Sequence, residues 1–277
     1  MKIDAHQHFW QYSPQSHAWI NDEMAVLKRD FLPSDLKPLL DVAGFDGCVA
    51  VQASQTEAET QFLLDLAAEN PFILGVVGWV DLKAPNVEER LRHFAENPRF
   101  CGVRHVLQDE PDDTFMLHPD FVHGISLLRR FGLTYDILIY PKHLSVAAQL
   151  VEKFPDQPFV LDHLAKPLIR ERMMNDWEEG IRELARFPNV SCKLSGMVTE
   201  AAWQTWQPAD FQPYLEVALD AFGPDRLLIG SDWPVCLLSA NYGQTMQLVQ
   251  DHMAALSEEE RAKVLGGNAI RIYDLRE

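Results

Sequence analysis

Two histidines flank a glutamine near the start of the chain, His6-Gln7-His8, closing an apolar run. Side chains two apart on a strand point the same way, so His6 and His8 share a face. Two such imidazoles can bind a divalent cation, or hold water or a carboxylate through hydrogen bonds. The bland alternative is a pair of satisfied core histidines, and an isolated His-x-His motif does not exclude it. Later apolar runs end in the same manner, however: Leu161 leads into Asp162-His163, and Gly230 into Ser231-Asp232. His6, His8, His163 and Asp232 together make a three-nitrogen, one-oxygen donor set suited to zinc or a similar ion. Asp232 could equally stay off a metal and take a proton from an attacking water. The residues alone leave both readings open. Asp162 is expected to be structural, because on a regular strand it points away from its neighbour His163.

A second set is cationic. Arg104, Lys166 and Lys193 each stand at or just beyond the end of an apolar run. Such groups can stabilise the oxyanion of an ester carbonyl, and an arginine can clamp a carboxylate bidentately. Structural ion pairs are the competing explanation for each one singly. Trp79 and Tyr140 would suit the apolar face and hydroxyls of a small sugar-like ring, and Gln52 closes another run.

The elements that must position these groups are repetitive. Segments rich in aliphatic and β-branched residues recur at Ile3–Phe9, Cys48–Ala53, Ile73–Asp81, Cys101–Leu107, Thr134–Tyr140, Phe159–His163, Val190–Ser195 and Leu227–Asp232. Near-continuous apolar character is expected of parallel strands covered on both faces. Between them lie helical patterns, as in Glu59–Asn70, where Phe62, Leu63, Leu66 and Ala67 share one face. Asn70-Pro71, Phe154-Pro155, Phe187-Pro188 and Gly223-Pro224 punctuate the helix ends. Eight βα units in 277 residues predict an α/β fold, a single-domain (β/α)₈ TIM barrel over residues 1–277. An open dinucleotide-binding sheet would need a glycine-rich loop after the first strand, and none follows Gln11. Barrel sites lie at the C-terminal strand ends, where the polar groups above fall. Two long connections, about 10–33 and 196–210, are expected at that rim with their aromatics, Trp19, Trp203 and Trp206 among them.

Composition narrows the partners. Lys plus Arg is 24 against 41 Asp plus Glu, a formal charge of −17. So acidic a chain is a poor nucleic-acid binder. No run approaches the ~20 apolar residues of a membrane helix, and the N-terminus reads as a strand rather than a signal peptide. Cys48, Cys101, Cys192 and Cys236 are widely spaced and expected as free thiols, which fits a cytoplasmic protein.

Several blocks carry a family resemblance: Ile3-Asp4-Ala5-His6-Gln7-His8-Phe9-Trp10, Arg29-Asp30-Phe31-Leu32-Pro33, Gly102-Val103-Arg104-His105, and Leu161-Asp162-His163-Leu164-Ala165-Lys166-Pro167. Cys192-Lys193-Leu194-Ser195-Gly196, Gly230-Ser231-Asp232-Trp233-Pro234 and Gly267-Asn268-Ala269 follow. In this order they resemble the amidohydrolase superfamily, and within it the amidohydrolase-2 branch of sugar-acid lactonases. The resemblance implies a metal-dependent-hydrolase type of barrel that opens the lactone of an aldonic acid, L-fuconolactone before L-rhamnonolactone. It makes His6, His8, His163 and Asp232 the central set, with Asp232 activating water and Arg104 and Lys193 meeting the substrate or its carbonyl. Binuclear relatives bridge their metals with a lysine at the end of strand 4. Arg104 and His105 stand there instead, so a single divalent ion such as zinc, or no metal, is expected. The competing activities are decarboxylation or amide hydrolysis of a small carboxylate, with Arg104 as the clamp. A non-catalytic sugar-acid binder is the distant alternative, and a small homo-oligomer is the expected assembly.

Overall fold

The computed structural model describes residues 1–276. Eight strands form one parallel sheet in sequence order: β1 Ile3–Gln7, β2 Gly47–Val51, β3 Ile73–Gly78, β4 Phe100–Val106, β5 Thr134–Leu138, β6 Phe159–Leu161, β7 Val190–Leu194 and β8 Leu227–Ile229. Just past the last regular pairing, Gln7 bridges Trp233 in parallel, and His8 N donates to Trp233 O at 2.7 Å. Asp232 N donates to His6 O at 2.8 Å. The first and last strand ends are therefore sewn together at the site residues themselves.

Helices follow the strands and shield their outer faces, among them Pro33–Ala43, Glu57–Glu69, Val87–Ala95 and Pro208–Phe222. The outer core lies between helices and sheet. A smaller cluster that includes Ile3, Ala5, Val49, Val77, Val160 and Leu228 draws on strands around the whole ring and so fills the barrel's interior, with Tyr273 of the C-terminal segment packed into it. With both faces covered, the strands show the continuous apolar character read from the sequence. The four cysteines are free and buried, and among the described residues no helix is long and apolar enough to cross a membrane.

The expected strand starts agree with the structure to within a residue, whereas the expected ends overrun by one to three. After β6 and β8 the cause is local backbone. His163, Leu164, Ala165 and Lys166 all have left-handed φ, between 52° and 57°, and Asp232 has φ 55°. Such values are costly for residues with a Cβ and end a strand abruptly. In β1 the register slips between Asp4 and Gln7. This lets His6 and His8 turn inward while the Gln7 side chain turns out onto Cys48 Sγ, 3.4 Å away.

Candidate active site

A cavity of about 340 Å³ opens at the C-terminal strand ends, lined in part by His8, Arg104, His163, Lys166 and Asp232. Its far wall is Trp19 with Gln15 and Ser16 of the first long loop, and Gln55, Gln108 and Asp109 of the loops after β2 and β4. That first loop is held by a two-way backbone bridge between Trp10 and Phe31 and by Trp10 Nε1 donating to Arg29 O at 2.9 Å. Phe31 packs edge-on against Trp233, with centroids 5.3 Å apart. Of the second long loop, Trp203 donates to Thr199 O and Trp206 to Ser239 O. Neither lines the cavity.

At its inner end four side chains converge. His6 Nε2 and His8 Nε2 are 3.3 Å apart, and Asp232 Oδ1 lies 3.2 Å from His8 Nε2 and 3.7 Å from His6 Nε2. His163 Nε2 is 3.8 Å from the same oxygen. Each ring is oriented from behind. His8 Nδ1 donates to Val51 O at 2.8 Å, which leaves a lone pair on the inward Nε2. His163 Nδ1 pairs with Ser195 Oγ at 2.9 Å, and His6 Nδ1 faces Asp162 Oδ1 at 3.3 Å and Lys193 Nζ at 3.1 Å. Two glycines make room for these rings: a Cβ on Gly196 would stand 2.5 Å from His163 Nδ1, and one on Gly230 2.8 Å from His6 Cβ.

Burial drives the His6 imidazole well below its ordinary range, and Asp162 only partly offsets it. His163 falls to about 4, again chiefly through burial. Burial alone would raise the Asp232 carboxyl, yet the imidazoles of His163, His8 and His6 around it outweigh that and hold the group well below the carboxylate range. Near neutral pH His6 and His163 are thus uncharged beside an ionised Asp232 carboxylate.

The donor set suits a metal. Ligand atoms around a tetrahedral ion with bonds of ~2.1 Å lie roughly 3.4 Å apart, close to the spacings found for His6, His8 and Asp232. Outer nitrogens tied to a carbonyl, a hydroxyl and a carboxylate are the usual support for metal-binding histidines. A second grouping, His6 with Asp162 and His163, shares a ring with the first. Its carboxylate already faces Arg104 Nη1 at 3.0 Å and Lys193 Nζ at 3.0 Å. One ion fits this site, and a second would meet those two cations.

The remaining expected residues divide between the cavity and the layer beneath it. Arg104 lines the cavity but is heavily engaged: Asp162 on one side, and the Gln52 carbonyl and side-chain oxygens on the other. Gln52 is wholly buried and serves that arginine. Lys193 is also wholly buried, paired with Asp136 at 2.5 Å and Asp162 at 3.0 Å, and does not line the cavity. Trp79 turns its indole N–H to His105 Nδ1 at 3.2 Å. Tyr140 stands beside the cavity rather than in its lining, with the Lys166 ammonium 5.6 Å over its ring. Lys166 makes no ion pair or side-chain hydrogen bond with the described residues, so of the three cations it is the uncommitted one. Asp162 lies on the same inner side as His163 because of the left-handed turn, not opposite it as strand alternation predicts, and has no solvent exposure. Sequence reasoning did not single out Gln55, Gln108 or Asp109, which lie on loops with no periodic signal. It also missed Tyr273, whose hydroxyl donates to Asp136 Oδ2 at 2.8 Å from the far end of the chain.

An amidohydrolase family model matches residues 3–275. The L-fucono-1,5-lactonase of Burkholderia multivorans is 41% identical over 288 aligned positions, covering 100% of this chain and 97% of that protein. The L-fucono-1,5-lactonase of Burkholderia ambifaria is 38% identical, covering 98% and 95%. A crystal structure of an amidohydrolase from Burkholderia multivorans with bound zinc superposes with a TM-score of 0.96 at 41% identity, covering 100% of both chains. From residue 3 to residue 275, then, this chain belongs to the amidohydrolase family, in its amidohydrolase-2 branch.

Proposed function

We propose that this protein hydrolyses a sugar-derived aldonolactone, L-fucono-1,5-lactone first and an L-rhamnonolactone next. The observation that carries the reading is the division of labour within one carboxylate. Asp232 Oδ1 is surrounded by the three imidazoles, whereas Oδ2 accepts no hydrogen bond from the described residues and belongs to the cavity wall. Full-length similarity to two L-fucono-1,5-lactonases supports the substrate class.

The lactone would lie across the cavity with its carbonyl carbon beside Asp232. Oδ2 takes a proton as the water oxygen bonds to that carbon, and the histidines hold Oδ1 still. Charge gathering on the carbonyl oxygen is met by Lys166, free to move to it, and by the fixed dipoles of the Arg104 edge. As the bond from the carbonyl carbon to the ring oxygen breaks, Asp232 returns its proton to that oxygen, giving an open hydroxy acid. His6, His8, His163 and Asp232 would hold a single divalent ion such as zinc, which when bound supplies Lewis acidity at the carbonyl or the water. A decarboxylase would need an arginine able to grip a substrate carboxylate, and the fork of Arg104 is already filled by Gln52 and Asp162.

Asp232→Asn tests the proposal on L-fucono-1,5-lactone with a pH indicator. Turnover should fall by about three orders of magnitude, the scale of losing an essential general base, with an unchanged circular dichroism spectrum. Near-normal turnover by the folded variant would sink the mechanism, and inactivity of the wild-type protein on a panel of aldonolactones would sink the function.

A further inference from the structure

The cavity has two chemically different walls. One carries His8, His163, Asp232 and Lys166; the other is built largely of amides, with Gln55, Gln108 and Asp109 facing it beside Trp19. On the amide wall one atom is conspicuously unsatisfied. Gln108 Oε1 is shielded from solvent and has no hydrogen-bond partner, while the same side chain's Nε2 is turned to Asp109 Oδ1 at 3.4 Å. Gln55 is fixed the other way round. Its Oε1 accepts from Val106 N at 2.7 Å, clasping the loop after β2 to the end of β4, and its Nε2 makes no hydrogen bond with the described residues.

A buried acceptor left unpaired is destabilising, and it is tolerated where a ligand completes it. Here the residues that carry an unpaired acceptor, a carboxylate and a spare amide donor line the same cavity as the reacting groups. A ring hydroxyl both donates and accepts, so adjacent hydroxyls match this set, while the Trp19 indole offers a surface for the ring's C–H face.

We infer that Gln108, with Gln55 and Asp109, forms a hydroxyl-recognition subsite that selects polyhydroxylated lactones over plain ones; this rests on the lactonase reading above. A pocket built to hydrogen-bond a hydroxyl rejects the analogue that lacks it, because its own polar atoms are then left unpaired. The lactone therefore enters with its carbonyl toward Asp232 and its hydroxyls toward Gln108, and Gln108 sets specificity without taking part in bond making.

The test compares wild type with Gln108→Leu on L-fucono-1,5-lactone and on δ-valerolactone, the same six-membered ring without hydroxyls. The variant should lose roughly 10- to 100-fold in kcat/KM on the sugar lactone, the scale of one or two hydrogen bonds, and stay within about 2-fold on δ-valerolactone. Equal losses on both substrates, or none on either, overturn the subsite. Calorimetry with L-fuconate separates this failure from failure of the lactonase reading. If wild type hydrolyses no lactone, the reaction assignment falls, yet L-fuconate should still bind wild type and bind Gln108→Leu by the same factor more weakly. Equal binding to both proteins, or none to wild type, overturns the inference whatever the turnover.

Discussion

The barrel carries two polar clusters a few ångströms apart, and they have opposite character. In the floor, Asp136 and Asp162 face Lys193 and Arg104, with Tyr273 and Gln52 completing the hydrogen bonds. Burial raises the Asp136 carboxyl to about 6 against the pull of Lys193. Asp162, equally buried, is instead held well below its usual range by Lys193, His6 and Arg104. The Lys193 ammonium stays charged because the two carboxylates outweigh its burial. In the mouth, by contrast, Asp232 keeps an oxygen free and Lys166 has no ion-pair or hydrogen-bond partner among the described residues. The charges of the floor are paired with one another and so fix geometry; the mouth is left incomplete and so can act on a substrate. A polar residue at a barrel strand end is therefore no guide to chemistry until its partners are known.

The hardest blow to this contrast would come from the floor. Removing one member of a buried ion pair leaves its partner charged and unpaired, at a cost of about 3–5 kcal/mol. Lys193→Met should lose stability on that scale in urea denaturation, and adding Asp136→Asn should recover part of it. A Lys193→Met protein as stable as wild type but catalytically dead would move Lys193 from the floor into the reaction.

Lys166 should behave in the reverse way. Lys166→Met is expected to move the denaturation midpoint only slightly, because its ammonium makes no ion pair or hydrogen bond with the described residues and gives up a contact with the Tyr140 ring. Its kcat/KM on an aldonolactone should drop roughly 10- to 100-fold, the loss of one electrostatic contact made as charge develops. Unchanged kinetics would mean that Arg104, despite its engagements, carries the carbonyl oxygen alone.

The two clusters were not equally legible in the sequence. The barrel was, because eight aliphatic runs with helices between them have few other solutions. His6, His8, His163 and Asp232 stood out because ionisable groups at the ends of apolar runs need a reason to be there. Which cation meets substrate was not readable. Lys193 and Lys166 look alike as residues, and their difference comes from Asp136 and Asp162 on other strands. The turn that brings Asp162 and His163 to the same inner side was hidden too, since four successive left-handed residues contain no glycine. Gly196 and Gly230 were visible but mute: what each makes room for is a ring from a distant strand.

Glu59 offers the finest test, because it is a half-buried carboxyl held in a third way. Its Oε2 accepts from Ala53 N at 3.1 Å and Ser54 N at 2.7 Å, anchoring residues that line the cavity. Unlike the floor carboxylates it has no ion-pair partner among the described residues, and burial raises it from 4.5 to about 7 despite those two N–H groups. A carboxyl raised on folding binds its proton more tightly in the native state. Its contribution to stability is therefore full below pH 4.5 and is lost as pH rises through about 7. Glu59→Gln keeps an oxygen for both backbone donors and cannot ionise. Its melting temperature should match wild type near pH 4.5 and exceed it by about a few degrees at pH 8, the shift expected of ~1 kcal/mol in a chain of this size. A difference that stays constant across that range would show that the Glu59 charge is compensated in the folded state. The distinction between carboxylates neutralised by cations in the floor and one held only by backbone amides at the cavity wall would then lose its energetic basis.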